Sequence, residues 1–376
     1  MGGNVQVQSL DGKDVQADKI DLKQIGRRKF IATSSKLFKT LNTLYKSKNG
    51  SGVWPDEKYL DDATVYNGST SFIMSTDYTD DEILKVKPQA GDIDIAVPDT
   101  CKESLYELLY SLRGRLVTSD VTFIGMHRNS ADKLGTQINC VFQFNKDYLV
   151  QVDFEFLPFE ESGKPTEWAR FSHSSSFSDT AAGIKAVHHK YLIRAMIGGL
   201  SVRDDILIAT PKSQWDKITL SNKDTVARML KFSVDHGVRV AYRPMLDLDG
   251  KTIVQDGKEI WQEIPTKDSD YKKTVQEIFA LAFQNGDVVD AGELWTFQGV
   301  CKLLNKYLTK SQLQQTADRY FEMLWGDRGQ KLERDNPEED ASIKGAGWDL
   351  FKKLTGIKDP SMFEERLTKY YSNYHA

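Results

Sequence analysis

Asp92 and Asp94 lie two residues apart in the run Gly91-Asp92-Ile93-Asp94-Ile95-Ala96-Val97, and Asp153 and Glu155 two apart in Val150-Gln151-Val152-Asp153-Phe154-Glu155-Phe156. In both runs apolar residues alternate with the acids. A β-strand has a side-chain period of two, so Asp92 and Asp94 project from one face while Ile93, Ile95 and Val97 enter a core from the other. The later run repeats the arrangement, with Gln151, Asp153 and Glu155 on one face and Val150, Val152, Phe154 and Phe156 on the opposite one. Carboxylates converging on one sheet face repel each other, and a divalent hard cation offsets that repulsion. Mg²⁺ (or Mn²⁺) prefers carboxylate oxygens and keeps positions open for water and substrate phosphates. Two such ions roughly 4 Å apart could activate an attacking hydroxyl and hold the leaving oxygen of an in-line phosphoryl transfer. Acidic residues are depleted from ordinary strands, which disfavours a merely solvated face.

Upstream stands Tyr66-Asn67-Gly68-Ser69-Thr70-Ser71. Glycine lets backbone approach a phosphate closely, and N–H groups with a serine hydroxyl can hydrogen-bond its oxygens. A strand ending in Gly-Ser, then Asp-x-Asp on a following strand, then one more Asp on a later strand, resembles the polymerase-beta-like nucleotidyltransferase superfamily, over roughly residues 60 to 200. The resemblance implies that Gly68 and Ser69 contact a nucleoside triphosphate and that Asp92 and Asp94 hold two metal ions. It implies that Asp153 completes the site and assists deprotonation of an acceptor hydroxyl. Cations after the third carboxylate often meet the triphosphate in such proteins, which points to Lys185 and Lys190, with Arg170 and Arg194 behind them. The chain departs from the pattern in one respect. Its spacer from Ser69 to Asp92 is longer, and Asp77-Tyr78-Thr79-Asp80-Asp81-Glu82 reads as an inserted polar loop.

The elements that must position these residues follow from periodicity. Residues 1–20 are polar and read as loosely ordered. Apolar positions Ile25, Phe30, Ile31, Leu37, Phe38, Leu41, Leu44 and Tyr45 predict a helix from about Asp21 to Ser47, closed by Asn49-Gly50-Ser51-Gly52. Its cations, Arg27, Arg28, Lys29, Lys36, Lys39, Lys46 and Lys48, are either a solvated face or a polynucleotide contact. Thr100 with Glu103 reads as a capping box for a helix over Lys102–Leu112. Strands are predicted over Val117–His127, Thr136–Phe144 and Tyr148–Leu157, with Asn145-Lys146-Asp147 as the turn that brings Asp153 beside Asp92 and Asp94. A helix over about Ala181–Ile197 follows, capped by Asp179 or Thr180 and closed by Gly198-Gly199. Its His188-His189 pair diverges by about 100° around a helix and cannot easily chelate one ion. Val238–Tyr242 and Glu259–Ile264 read as strands flanking a turn at Asp247-Leu248-Asp249-Gly250. Helices are predicted over Thr274–Phe283, Leu294–Leu308, Lys310–Leu324, Ala341–Leu354 and Ser361–Tyr371, with a break at Arg334-Asp335-Asn336-Pro337.

The expected class is α+β: a nucleotidyltransferase-like mixed sheet with helices over residues 1–200, then a mostly helical accessory domain with a small hairpin over 201–376. A formal net charge of −4 provides no global basic field, so any polynucleotide site must be a local patch. Three separated cysteines, Cys101, Cys140 and Cys301, fit neither a disulfide framework nor a metal spacing and read as small buried hydrophobes. No apolar run matches a membrane span, and the N-terminus lacks signal-peptide and myristoylation patterns. A cytoplasmic chain with no membrane partner is expected. The function that these readings favour is metal-dependent transfer of a nucleoside monophosphate from a triphosphate to an acceptor hydroxyl, with an RNA 3′ end preferred. DNA ends, protein hydroxyls (AMPylation) and small molecules stay open as acceptors. The alternatives are a nucleotide-binding regulatory protein on the same fold, or a glycosyltransferase using Asp92 and Asp94.

Overall fold

The structure, a computed structural model, describes residues 5–61, 63–127, 135–200, 206–208, 230–233, 236–240, 242–263, 271–272, 274–283, 291–326 and 336–374. Ile264, the expected end of a strand, and Arg334-Asp335 of the expected break lie outside them. The chain forms an α+β fold of two compact units, residues 1–182 and 183–376.

The first unit is built on a five-stranded mixed sheet. Asp92–Pro98 pairs in parallel with Tyr148–Leu157, which pairs antiparallel with Gln137–Phe144, then Val121–Met126, then the short edge strand Leu116–Thr118. Alternation settles which face is buried. Ile93, Ile95, Val97, Val152, Phe154, Phe142 and Ile138 enter one large core. The helix Arg27–Asn49 covers that core through Phe30, Leu37, Phe38, Leu41 and Tyr45, with the Phe30 ring tilted against Phe144 and Phe38 edge-on to Phe154. Trp54, fully buried, donates its indole N–H to Ala96 O at 2.9 Å.

The opposite sheet face carries the acids. At one end the strands Gln6–Gln8 and Asp14–Gln16 form a hairpin whose Val7 and Ala17 pack on Val141. Residues 1–20 are therefore not loosely ordered over their described part. Val5, Val7, Val15 and Ala17 alternate along two strands too short for the period to stand out. At the other end the helix Glu167–His173 packs Ala169 on Ala96 and Leu157. The acidic cluster lies between these covers.

Three further expectations are corrected. Asp77–Glu82 is not an inserted loop. Thr79 caps a helix, Asp80–Val86, in a capping box with Glu82, and three acids in the first turn suit the positive end of the helix dipole. Thr100 does not cap Lys102–Leu112, because a 3₁₀ turn at Asp99–Cys101 leads straight into that helix. Gly198-Gly199 lies within the helix Ala186–Leu200, and Asp179 belongs to a separate short helix, Phe177–Ala181, capped by Ser176.

In the second unit, Ala186–Leu200 packs along Lys310–Trp325, and Phe297–Tyr307 along Pro337–Thr355. His188 and His189 are buried in this bundle. His188 Nδ1 lies 2.9 Å from the Tyr320 hydroxyl and its Nε2 2.9 Å from Ile343 O, while His189 Nε2 lies 2.9 Å from Leu294 O. These are hydrogen-bonded core histidines. Strand Lys258–Glu263 pairs with Tyr242–Pro244 and, in parallel, with Ile206–Ile208, so this region is a small sheet rather than one hairpin. Asp247–Gly250 is a hairpin turn, closed by the Leu246–Thr252 bridge. No helix among the described residues is long and apolar enough to cross a membrane.

Candidate metal centre

Parallel pairing of Asp92–Pro98 with Tyr148–Leu157 sets Asp94 directly beside Asp153, and Asp92 beside Gln151. One carboxylate oxygen from each of Asp92, Asp94 and Asp153 lies within 4.8 Å of the other two. Asp92 and Asp153 are buried and Asp94 half-buried. Burial, then the charges of Asp92, Glu155 and Asp153, holds the Asp94 carboxyl well above the usual range. Burial and the charges of Asp92 and Glu155 push Asp153 up to about 7, although hydrogen bonds from Asn139 and Gln151 pull the other way. Buried carboxyls raised by one another's charge in this way present the condition that a bound divalent cation relieves. The donor set, all oxygen, suits Mg²⁺ or Mn²⁺ rather than a soft metal.

Amides and backbone groups hold Asp153 and Asp94 in place. Asn139, opposite Asp153 in the hairpin, donates Nδ2 to Asp153 Oδ1 at 2.8 Å. Gln151 Nε2 donates to Asp153 Oδ1 and Oδ2 at 3.0 and 2.9 Å. Asp94 N donates to Thr70 Oγ1 at 3.1 Å, and Asn67 N to Asp94 O at 3.0 Å, so the Tyr66–Ser71 turn is laced onto the acidic strand. Glu155 accepts from Asn67 Nδ2 and stands 3.4 Å from His173 Nδ1, beside the triad but engaged elsewhere.

Gly68 borders Asp94 and pairs with Ser174 in an isolated bridge, and Ser69 leads into the short helix Thr70–Met74, so the pair does not end a full strand. Gly68 has φ +52°, and a Cβ there would fall 2.5 Å from Asp94 Oδ2. Only glycine lets the turn approach that carboxylate so closely. The Gly68 N–H is spent on His173 O at 2.7 Å, so the hydrogen bond to phosphate expected from it is not available in this arrangement. Among the described residues, the Ser69 side chain makes no cap bond.

Lys185 and Lys190 are not in the unit that holds the acids. Lys185 is exposed just ahead of the helix Ala186–Leu200, and Lys190 and Arg194 are half-buried within it. Arg170 lies in the first unit, on Glu167–His173. The sequence reading missed Asn67, Asn139 and His173 as partners of the acids and gave Gln151 only a face. Asn139 was findable, because counting back from the Phe144–Tyr148 pair across the turn puts it opposite Asp153. No protein-family model, curated protein or solved structure matches the chain.

Proposed function

We propose that the chain is a metal-dependent nucleotidyltransferase that moves a nucleoside monophosphate from a triphosphate to an acceptor hydroxyl, with an RNA 3′ end as first candidate. The observation that carries this reading is the convergence of Asp92, Asp94 and Asp153, one carboxylate oxygen of each within 4.8 Å of the others, beside a Gly-Ser turn. The resemblance to polymerase-beta-like nucleotidyltransferases rests on the same residues.

Asp92, Asp94 and Asp153 are the residues that would hold Mg²⁺ or Mn²⁺. When bound, such ions stabilise the charge that develops on the transferring phosphoryl group and on the leaving oxygen. Asp153 accepts the proton of the acceptor hydroxyl as its oxygen bonds to the α-phosphorus. The bond from that phosphorus to the β-phosphate oxygen breaks, and pyrophosphate leaves. Ser69 offers its hydroxyl to a phosphate oxygen. Asn139 and Gln151 hold the Asp153 carboxylate in one orientation, which keeps the reacting groups aligned.

One observation favours a second acceptor. The cations of the helix Arg27–Asn49, the sequence's main argument for a polynucleotide track, are largely engaged. Arg27 and Arg28 pair with Asp80, Lys36 with Asp120, Lys39 with Asp61 and Lys48 with Glu107. A protein hydroxyl is therefore the second reading. The test is incubation with each α-labelled nucleoside triphosphate, Mg²⁺ or Mn²⁺ and total RNA, with Asp92→Asn and Asp94→Asn as controls. Label in RNA with the unmodified protein alone supports the first acceptor, and label in protein the second. No transfer, together with no metal-dependent nucleotide binding, overturns the proposal.

A further inference from the structure

Gln151 has both ends of its carboxamide committed. Its Oε1 accepts from Val5 N at 3.0 Å, and its Nε2 donates to both oxygens of Asp153. It is 6% exposed, so water competes little for either end. A glutamine amide has distinct ends, an acceptor oxygen and a donor nitrogen. Turned over, it would aim oxygen at the Asp153 carboxylate and N–H groups at the Val5 N–H, which is unfavourable at both contacts. Val5 N–H and Asp153 therefore specify a single amide orientation between them. A carboxylate has about four acceptor positions. The amides of Asn139 and Gln151 bond to both oxygens of Asp153, so they set the orientation in which its remaining lone pairs face the other acids.

The segment that supplies Val5 is docked by several independent contacts. Ala17 N donates to Val5 O at 3.1 Å, and Asp18 N to Leu149 O at 2.7 Å. Arg113 donates to Gln8 O and to Ser9 O. Gly125 leaves room for the strand, since a Cβ there would meet Gln8 O at 2.6 Å. These contacts hold Val5 over the strand that carries Gln151 and Asp153.

We infer that Gln151 is a positioning residue that couples the N-terminal strand Gln6–Gln8 to the metal centre, so that cation binding at Asp92, Asp94 and Asp153 and docking of that strand favour each other. The coupling is reciprocal, as any linkage between two equilibria must be. It rests on the metal-dependent reading above and adds to it a segment more than 140 residues away in sequence, Val5 and Gln151 being separated by 146 positions.

The test uses the full chain and Mn²⁺ alone, titrated calorimetrically without nucleotide. Gln151→Met removes the amide at similar volume. Val5→Pro removes the N–H and keeps the carbonyl that accepts from Ala17, while also replacing the valine side chain and fixing φ. Loss of an outer-shell partner typically weakens metal binding about 10- to 100-fold, and Gln151→Met is expected within that range with a melting temperature close to that of the unmodified protein. Val5→Pro is expected to weaken binding less, and the double variant no more than Gln151→Met alone, because both changes break the same chain of bonds. Mn²⁺ should also slow amide exchange across Val5–Gln8 in the unmodified protein and fail to do so in Gln151→Met. If the unmodified protein binds Mn²⁺ and both variants bind it equally well, the coupling is wrong and the metal reading stands. Additive effects of the two changes also overturn the coupling. An unmodified protein that does not bind Mn²⁺ overturns both.

Discussion

At the scale of single residues, the acidic cluster is a place where the apo protein gives up stability. Asp94 is held protonated well above the usual carboxylate range by burial and by three neighbouring acids. Protonated against its ordinary titration or charged beside those acids, this carboxyl costs the fold stability at neutral pH, and a neutral isostere removes that cost. Asp94→Asn is therefore expected to raise the stability of the metal-free protein by on the order of 1 kcal/mol, a rise of a few degrees in melting temperature. The same variant is expected to lose Mn²⁺ binding. Thermal melts in EDTA and in excess Mn²⁺ check both: the unmodified protein gains stability from the metal, and the variant does not. Asp153→Asn is the poorer probe, because its new NH₂ would face the donors of Asn139 and Gln151. A drop in apo stability with Asp94→Asn would show that its charge is compensated after all. The acids themselves were legible in sequence because each stands on a strand with a period of two. Asn67 and His173 beside Glu155 were not, since their approach to it depends on where two distant turns come to rest.

At the scale of elements, legibility followed length. Tyr148–Leu157 and Gln137–Phe144 are long enough for alternation to show, and the turn between them fixes their register. The N-terminal strands have three residues each, too few for a period to declare itself, yet their Val7 and Ala17 close one end of the acidic face. The helix Asp80–Val86 was hidden for a different reason. Its Thr79-x-x-Glu82 signature stood in the sequence, but the acids around it suggested a solvated loop. Their position in the first turn, where the dipole favours negative charge, is what makes them helical. Asp80 also receives Arg27, a buried cation at the start of the long helix, so capping one helix secures the entry of another. Thr79→Ala removes the side-chain acceptor for Glu82 N and is expected to cost about 1 kcal/mol. The urea dependence of amide protection in the helix Asp80–Val86 of the full chain measures it; a change under a few tenths of a kcal/mol would mean the cap carries no weight.

At the scale of the whole molecule, the two units have opposite responses to acid. In the first, Asp153 titrates near 7 when folded, against 3.8 for the ordinary carboxyl. A folded value raised above the unfolded one adds stability below the unfolded value and loses it as pH rises through the folded one. Metal-free, this unit should therefore strengthen as pH falls from 8 towards 5. In the second unit, burial lowers His188 and His189 to about 4 from 6.5. A depressed folded value leaves stability intact above the unfolded value, and that stability is lost as pH falls from there through the folded one. A shift of that size corresponds to roughly 3 kcal/mol per histidine once both states are protonated. Amide protection, corrected for intrinsic exchange, reads the units separately at pH 8 and pH 5.5 in EDTA. The strands Asp92–Pro98 and Tyr148–Leu157 should gain protection at the lower pH, and the helices Ala186–Leu200 and Lys310–Trp325 should lose it. Mg²⁺ at pH 8 should restore the strands without acid and leave the helices unchanged, because the cation and the proton relieve the same repulsion among Asp92, Asp94 and Asp153. Parallel movement of both units with pH would mean that these buried groups do not govern their acid response. A Mg²⁺ effect confined to the helices would place the cation away from the acidic cluster.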